Sequence, residues 1–122
     1  MPDSGIVPVP LSGRSLRTEK HDMLIIEGWL HFAPGEIDKF AEAARIMVEA
    51  THQEEGCLHY SFARDMANPD ILRIAERWTD DAALDAHLTS PHMAAFGAGL
   101  AQVERIGADI RLYNGDEVRR IM

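Results

Sequence analysis

Hydrophobic and polar positions alternate in four separate stretches of this chain. Residues 23–32, 58–62, 71–78 and 106–112 place an apolar side chain at nearly every second position. A period of two is typical of a β-strand with one buried face. The pattern therefore predicts four strands, and the third is preceded by the turn-forming segment Asn68-Pro69-Asp70.

A helix is predicted between the first two strands. Apolar and small residues recur there at intervals of three and four, at positions Ile37, Phe40, Ala41, Ala44, Met47, Val48 and Thr51. Pro34 suits the first turn of this helix, and Gly56 is expected to end the segment.

A second helical region follows the third strand and is interrupted. Thr79 or Asp80 is expected to cap a helix that runs through Leu88, and Ser90-Pro91 is expected to cap and start another. The resulting order is β-α-β-β-α-β with the second helix broken. This order is that of the ferredoxin-like α+β fold, an antiparallel sheet with helices on one face.

Strand alternation assigns each strand residue to one of two sheet faces. The side expected to meet the helices holds Leu24, Ile26, Leu30, Phe32, Leu58, Tyr60, Phe62, Leu72, Ile74, Ile106, Ile110 and Leu112. The other side carries Trp29, Ile71 and Ala75 among Glu27, Arg73, Arg77 and Arg111. Because this second face is too apolar to be left to solvent, we predict a homodimer formed sheet to sheet.

Composition and charge exclude several classes of partner. The 122 residues carry 12 basic and 20 acidic side chains, a net charge of −8, which argues against a nucleic-acid partner. No segment approaches the ~20 consecutive apolar residues of a membrane span. Cys57 is the single cysteine, so neither a disulfide framework nor a thiolate metal site is expected. A reducing, cytoplasmic setting fits these features best.

The two ends of the chain differ from its middle. Residues 1–22 contain Pro8, Pro10 and no periodicity, so they are assigned to an N-terminal extension. That extension is either an unstructured leader before Met23 or an extended arm packed on the body or on a neighbouring subunit. Residues 23–113 form the domain, and residues 114–122 a C-terminal tail.

Glu76 is the sharpest candidate for a functional residue. Strand alternation places it beside Leu72, Ile74 and Trp78 on the face that should meet the helices. A buried carboxylate is costly unless it is paired, and burial raises its pKa. Glu76 is therefore either a general base or the residue that orients one. A structural ion pair with an arginine, or a strand-end position that reaches water, remains the alternative.

Two histidines follow in the broken helix. His87 lies on the inner face near a helix C-terminus, where an imidazolium is favoured, so it is a candidate base or a half-buried histidine bonded to a carbonyl. His92 lies in the first turn of the helix that starts at Pro91, where it either lines the rim of the pocket or is exposed to solvent. The spacing of His87 and His92 lacks the i, i+4 arrangement of helical zinc sites. We therefore do not expect these two histidines and Glu76 to form a metal site.

Apolar residues complete the candidate pocket. Tyr60 and Trp78 on the inner face are either core residues or ligand contacts, and Phe62, Met93 and Phe96 are expected to line the same pocket. Gly28 should leave a gap in the apolar row between Ile26 and Leu30, where a planar ligand could fit. His21, His31, His52 and His59 are treated as surface residues.

At these residues the sequence resembles the antibiotic biosynthesis monooxygenase domain. The matching pieces are PGEIDKF, EEGCLHY, IAERW, AHLTSPHMAAF and ADIRLY, in this order. Within the family, EEGC with AHLTSPHM most resembles the quinol monooxygenase branch and its autoinducer-processing relatives. The resemblance covers about residues 23–113.

The resemblance implies a dimeric α+β barrel and a small aromatic substrate that is oxidised by O₂ without flavin, haem or metal. It implies His87 as the base that removes a phenolic proton, with Glu76 orienting it. His92 or Tyr60 would then be the hydrogen-bond donor, and Trp78 the wall against which the ring packs. The haem-degrading branch has a histidine later in the broken helix, whereas residues 94–103 contain none, which argues against haem.

Two other functions stay open at this point. The chain could be an isomerase of a small polar metabolite that uses the same Glu76 and His87, since shared motifs do not fix the reaction. It could also be a non-catalytic ligand-binding dimer, in which the polar inner residues only satisfy one another.

Overall fold

A computed structural model describes residues 23–122, and the predictions for residues 1–22, including His21, lie outside this range. Seven elements follow in the order β1 (Met23–Phe32), α1 (Glu36–Thr51), β2 (Cys57–Arg64), β3 (Ile71–Trp78), α2 (Asp81–Leu88), α3 (Pro91–Leu100) and β4 (Arg105–Gly115). The predicted ferredoxin-like order, with its broken second helix, is confirmed. No helix within residues 23–122 is both long enough and apolar enough to cross a bilayer.

The four strands form one antiparallel sheet in the order β2-β3-β1-β4. Glu76 of β3 lies opposite Ile26 of β1 on one side and opposite Tyr60 of β2 on the other. Paired residues of an antiparallel sheet share a face. This register therefore brings Glu76 and Tyr60 together on the side of the sheet that the helices cover.

The core lies between that face and the helices. Helix α1 buries one stripe, at Ile37, Phe40, Ala44, Met47 and Thr51. The strands contribute Leu24, Leu30, Phe32, Tyr60, Leu72, Ile74 and Trp78, and the later helices Leu84 and Phe96. The buried hydroxyl of Thr51 donates to the carbonyl of Met47 at 2.7 Å, so its burial leaves no polar group unsatisfied.

Helix ends follow the predicted capping residues with one exception. Asp80 accepts a hydrogen bond from the amide of Ala83, and Ser90 from that of Met93, as expected at N-caps. Helix α1, however, begins at Glu36, and Pro34 lies in the turn before it.

Four residues that were expected to face the helices are about half exposed. For Leu58, the register of β2 against β3 shifts between Cys57 and His59, and this irregularity breaks the alternation on which the expectation rested. Ile106, Ile110 and Leu112 lie on β4, which packs chiefly on β1 and is not covered by any of the helices α1 to α3. Strand β4 also continues to Gly115, beyond the predicted start of the C-terminal tail.

The gap expected at Gly28 is occupied by protein backbone. A Cβ atom added to Gly28 would lie 2.1 Å from the carbonyl oxygen of Asp109 and 2.6 Å from the Cα of Ile110. Glycine is therefore required here because β4 approaches β1 too closely for any side chain. Gly28 leaves no room for a ligand, and its assignment to the substrate pocket is wrong.

We expect Gly28→Ala to destabilise the fold by about 1–3 kcal/mol or more, because backbone atoms of β4 must move to admit the methyl group. Gly97→Ala is the matched control, since a Cβ at Gly97 in α3 would meet nothing within 4 Å. That change should be neutral or stabilising by about 1 kcal/mol through helix propensity. Urea unfolding of both variants measures the difference, and equal effects would contradict the close approach.

Candidate functional site

His87 lies at the centre of a buried group of side chains. Its side chain projects from the last turn of α2 into the core and is 2% exposed. The imidazole packs against Trp78, with ring centroids 4.8 Å apart, and against Tyr60 at 5.0 Å. The predicted inner-face position of His87 is confirmed.

The carboxylate that contacts His87 is Glu54. Oε2 of Glu54 lies 2.9 Å from Nδ1 of His87 and 2.5 Å from Nε2 of His92. One carboxylate oxygen thus joins the two imidazoles, which come from different helices. The sequence resemblance implied Glu76 as the residue that orients His87, whereas the carboxylate bonded to Nδ1 of His87 is that of Glu54.

Sequence reasoning missed Glu54 because it follows α1 in a polar stretch that reads as a solvated turn. The turn is packed tightly against α2 instead. Gly56 has φ = 85°, a left-handed conformation suited to glycine, and a Cβ there would lie 2.5 Å from that of Ala83. This close approach carries Glu54 toward the two histidines. The segment EEGC, which contains Glu54 and resembles the family, was the sequence feature that could have pointed to this residue.

The position of His92 is fixed by the junction between α2 and α3. The hydroxyl of Ser90 donates to the carbonyl of His87 at 2.7 Å and accepts from the amide of Met93 at 3.2 Å. Ser90 therefore ties the end of one helix to the start of the next. The side chain of His92 is 22% exposed, which supports its predicted place at the rim.

Glu76 is buried beside this group, as predicted from strand alternation. Its Oε1 accepts a hydrogen bond from the indole Nε1–H of Trp78 at 2.9 Å. Burial raises the pKa of Glu76, and the negative charge of Glu54 adds to this rise, whereas the bond from Trp78 and the charge of His87 oppose it. Among the described residues, Glu76 forms no ion pair with an arginine.

Tyr60 lies against the same group and remains a neutral phenol. Burial raises the pKa of its hydroxyl, and the charges of Glu76 and Glu54 add to that rise. A phenol that keeps its proton can act only as a donor or as a neutral acceptor. This property suits the donor role that the sequence resemblance implied for Tyr60.

A row of aromatic rings leads away from the polar group. Tyr60 contacts Phe62 with centroids 5.3 Å apart, Phe62 contacts Phe96 at 5.4 Å, and Phe96 contacts Phe40 at 6.0 Å. Met93 is partly buried against the same core. The structure thus brings together all the predicted pocket residues except Gly28.

An open cavity of about 390 Å³ lies on the far side of this row, between α1 and the sheet. Its apolar lining includes Phe40, Ala44, Val48, Phe62 and Leu72, and its polar lining is Arg45, Glu49 and Arg64. Glu54 and the two histidines do not line it. Phe62 is the predicted pocket residue that the cavity shares with the aromatic row.

Two of the remaining histidines have local partners. Nε2 of His52 lies 2.8 Å from the carbonyl oxygen of Tyr60, to which it donates, and Nε2 of His59 lies 3.1 Å from the hydroxyl of Ser61. His52 is thus tied to β2, although neither residue belongs to the buried group.

Comparison with known proteins decides the family. The model of the antibiotic biosynthesis monooxygenase family matches residues 19–99, about two thirds of the chain. The chain belongs to this family. The match includes Glu54, Glu76, His87 and His92 and ends in α3, before β4.

Similar proteins carry monooxygenase names. The chain is 34% identical over 74 residues to YgiN of Escherichia coli, named as a probable quinol monooxygenase, covering 54% of this chain and 67% of that protein. It is 24% identical over 76 residues to YcnE of Bacillus subtilis, provisionally named as a monooxygenase, covering 62% of this chain and 80% of that protein.

A solved structure supports the same assignment. A protein of Deinococcus radiodurans, provisionally described as an antibiotic biosynthesis monooxygenase, superimposes with a TM-score of 0.72 at 26% identity. The superposition covers 81% of this chain and 98% of that one. Family membership and these relatives support a monooxygenase-like function in general.

We expect Glu76→Gln to become more stable relative to the parent protein as the pH rises. Because the pKa of Glu76 is raised in the folded protein, its ionisation lowers the free energy of unfolding when the pH exceeds the ordinary pKa of 4.5. At pH values well below 4.5 this loss of stability is absent. The amide removes this cost and can still accept the bond from Trp78. Each unit by which the pKa is raised corresponds to about 1.4 kcal/mol.

Urea unfolding between pH 4 and pH 8 is the measurement, with the exposed Glu117→Gln as the control. The difference in unfolding free energy between Glu76→Gln and the parent should grow through this range, and that for Glu117→Gln should stay flat. If the unfolding free energies of all three proteins changed with pH in parallel, Glu76 would carry no buried charge.

Proposed function

We propose that this protein oxidises a small quinol or polycyclic phenol with O₂ and needs no flavin, haem or metal to do so. The observation that carries the proposal is the carboxylate of Glu54, which joins two imidazoles beside a row of aromatic rings. A base next to an apolar ring pocket is what deprotonation of a phenol requires. Membership of the family supports the reaction class.

His92 is the member of the pair that accepts the substrate proton in this proposal. Its side chain is 22% exposed, whereas that of His87 is 2% exposed, so a ligand from solvent reaches His92 first. When Nε2–H of His92 donates to Glu54, Nδ1 is the nitrogen left to accept a proton. Glu54 stabilises the imidazolium that forms, and His87 fixes the carboxylate from its buried side.

The remaining steps need electrons from the substrate alone. The phenolate gives one electron to O₂, and the resulting radical and superoxide combine at a ring carbon that bears hydrogen. The proton held by His92 returns to the peroxide, and loss of water from the hydroperoxide leaves a new carbonyl group. One oxygen atom enters the product and the other leaves as water.

Buried aromatic residues suit these steps. Tyr60 keeps its proton and is the donor proposed for the developing oxyanion, and Trp78 and Phe62 supply apolar ring surface. The cavity of about 390 Å³ beside Phe62 falls within the range of small-ligand sites, about 300–1,000 Å³.

Oxygen uptake with a panel of hydroquinones and naphthols tests this function on metal-stripped protein. We expect saturable uptake that falls by about 10²- to 10⁴-fold in His92→Ala and in Glu54→Gln, because the positioned base is lost. His59→Ala, which removes an exposed imidazole that contacts the hydroxyl of Ser61, should retain the parent rate.

Two outcomes would contradict the proposal. No uptake with any substrate would remove the oxygenase function, and turnover under strict anaerobiosis would favour an isomerase. Parent rates in both site variants would leave the function standing and remove the Glu54-linked pair from the mechanism.

We further propose that two copies of the chain associate through the sheet. The outer face of the sheet carries the partly exposed Trp29 and Ile71. On the helix-facing side, Ile110 and Leu112 of β4 are also exposed in the single chain. Apolar residues exposed on a sheet are typical of an interface between copies.

Light scattering at micromolar concentration tests the dimer. We expect a mass of twice 13.6 kDa for the parent protein and a shift toward 13.6 kDa in Trp29→Arg, because a charge would be buried unpaired. Ile46→Arg, at an exposed apolar position on α1, should stay dimeric. A monomeric parent would overturn the proposal.

A further inference from the structure

We propose that Glu54, His87 and His92 form a binding site for one divalent cation of the zinc and cobalt class. The ligand atoms are Oε2 of Glu54, Nδ1 of His87 and Nε2 of His92, which all lie within 4.8 Å of one another. They come from three different segments, the turn after α1, the end of α2 and the start of α3. The sequence argued against a metal site because the spacing of His87 and His92 lacks the i, i+4 arrangement of helical zinc sites, and the third ligand considered there was Glu76.

The donor set selects the kind of cation. Two imidazoles and one carboxylate are the ligands of many zinc sites and of non-haem iron sites that keep open positions. Mg²⁺ and Ca²⁺ prefer oxygen ligands throughout, so they fit this set poorly. Three protein ligands leave at least one position for water or another ligand, and the partial exposure of His92 gives access to it.

The distances permit a cation after small rotations of the side chains. With bonds of about 2.0–2.2 Å, tetrahedral ligand atoms around Zn²⁺ lie about 3.4 Å apart. The two contacts of Glu54 are 2.9 and 2.5 Å, so this carboxylate must open slightly from the histidines. The two histidine nitrogens lie within 4.8 Å of each other and must settle at about 3.4 Å. Each neutral imidazole then keeps its proton on the other ring nitrogen, Nε2 of His87 and Nδ1 of His92.

The ligands are held in place before any cation binds. His87 is packed between Trp78 and Tyr60, and Ser90 fixes the junction that separates the two histidines. The turn that carries Glu54 is pinned by the amide of Thr79, which donates to the carbonyl of Gly56 at 2.9 Å. Preorganised ligands lose little conformational entropy on binding, which favours affinity.

The local charge also favours a cation. Glu54 and Glu76 lie near each other, and within residues 23–122 neither forms an ion pair with lysine or arginine. The cationic groups available to Glu54 are the two histidines, which carry charge only when protonated. A divalent ion would compensate both carboxylates in a site with little water.

Calorimetric titration of the full, metal-stripped chain with Zn²⁺ and with Mg²⁺ tests the site. We expect one Zn²⁺ per chain, no saturable binding of Mg²⁺, and absorption bands of low-coordinate Co²⁺ when that ion is used. His92→Ala and Glu54→Gln should each weaken Zn²⁺ binding by about 10- to 100-fold or more. Circular dichroism checks that these variants remain folded.

His52→Ala and His59→Ala are the matched controls, because both remove imidazoles outside the cluster. Unchanged Zn²⁺ affinity in these two variants would support the proposal. It would be overturned by a parent protein that binds no Zn²⁺, or by binding that survives in both site variants. Loss of binding in a control variant alone would place the ion elsewhere and overturn it equally.

A consequence for activity rests on the proposed function. The cation would occupy the nitrogen and oxygen atoms that position the proposed base, so stoichiometric Zn²⁺ should abolish oxygen uptake, and a chelator should restore it. Zn²⁺ binding without any uptake in the metal-free protein would support the site and contradict the proposed function. Oxygen uptake that requires a metal ion would likewise support the site and contradict the proposed function.

Discussion

The arrangement of this protein's polar interior depends on one carboxylate oxygen shared by two imidazoles. Oε2 of Glu54 contacts Nδ1 of His87 and Nε2 of His92, and His87 is almost wholly buried. An imidazole that has lost its partner in such a place would carry an unsatisfied polar group, which costs about 1–3 kcal/mol. The turn after α1 and the junction of α2 and α3 must therefore be held together. The left-handed conformation of Gly56 and the two hydrogen bonds of Ser90 accomplish this.

The sheet places an apolar layer next to this polar group. The antiparallel register brings Tyr60 beside Glu76, and the rings of Phe62, Phe96 and Phe40 continue the layer toward the cavity under α1. On the other edge, β4 runs so close to β1 that only glycine fits at position 28, and none of the helices α1 to α3 covers β4. The helices therefore enclose the half of the sheet that carries the candidate site and leave β4 with an exposed apolar row.

Membership of the antibiotic biosynthesis monooxygenase family narrows the chemistry without fixing it. A carboxylate held by two histidines can stabilise a transferred proton, and the same three atoms can ligate a cation, but they cannot do both at once. If the three side chains stabilise a proton, the substrate and the side chains carry the electrons and protons of the reaction. If they bind a cation, that ion takes part instead.

The sequence by itself determined the order of elements, the buried face of β3 and the inward position of His87. These follow from local periodicity and from capping residues such as Asp80 and Ser90, which act within a few neighbouring positions. Only the tertiary structure decided that Glu54 is the partner of both histidines, that backbone of β4 fills the space beside Gly28, and that helices α1 to α3 leave β4 uncovered. Each of these depends on distant segments, since Glu54 and His87 are 33 positions apart in the sequence and β4 returns to β1 from the far end of the domain. Periodicity records which face of an element is apolar, and it carries no information about which other element comes to lie against that face.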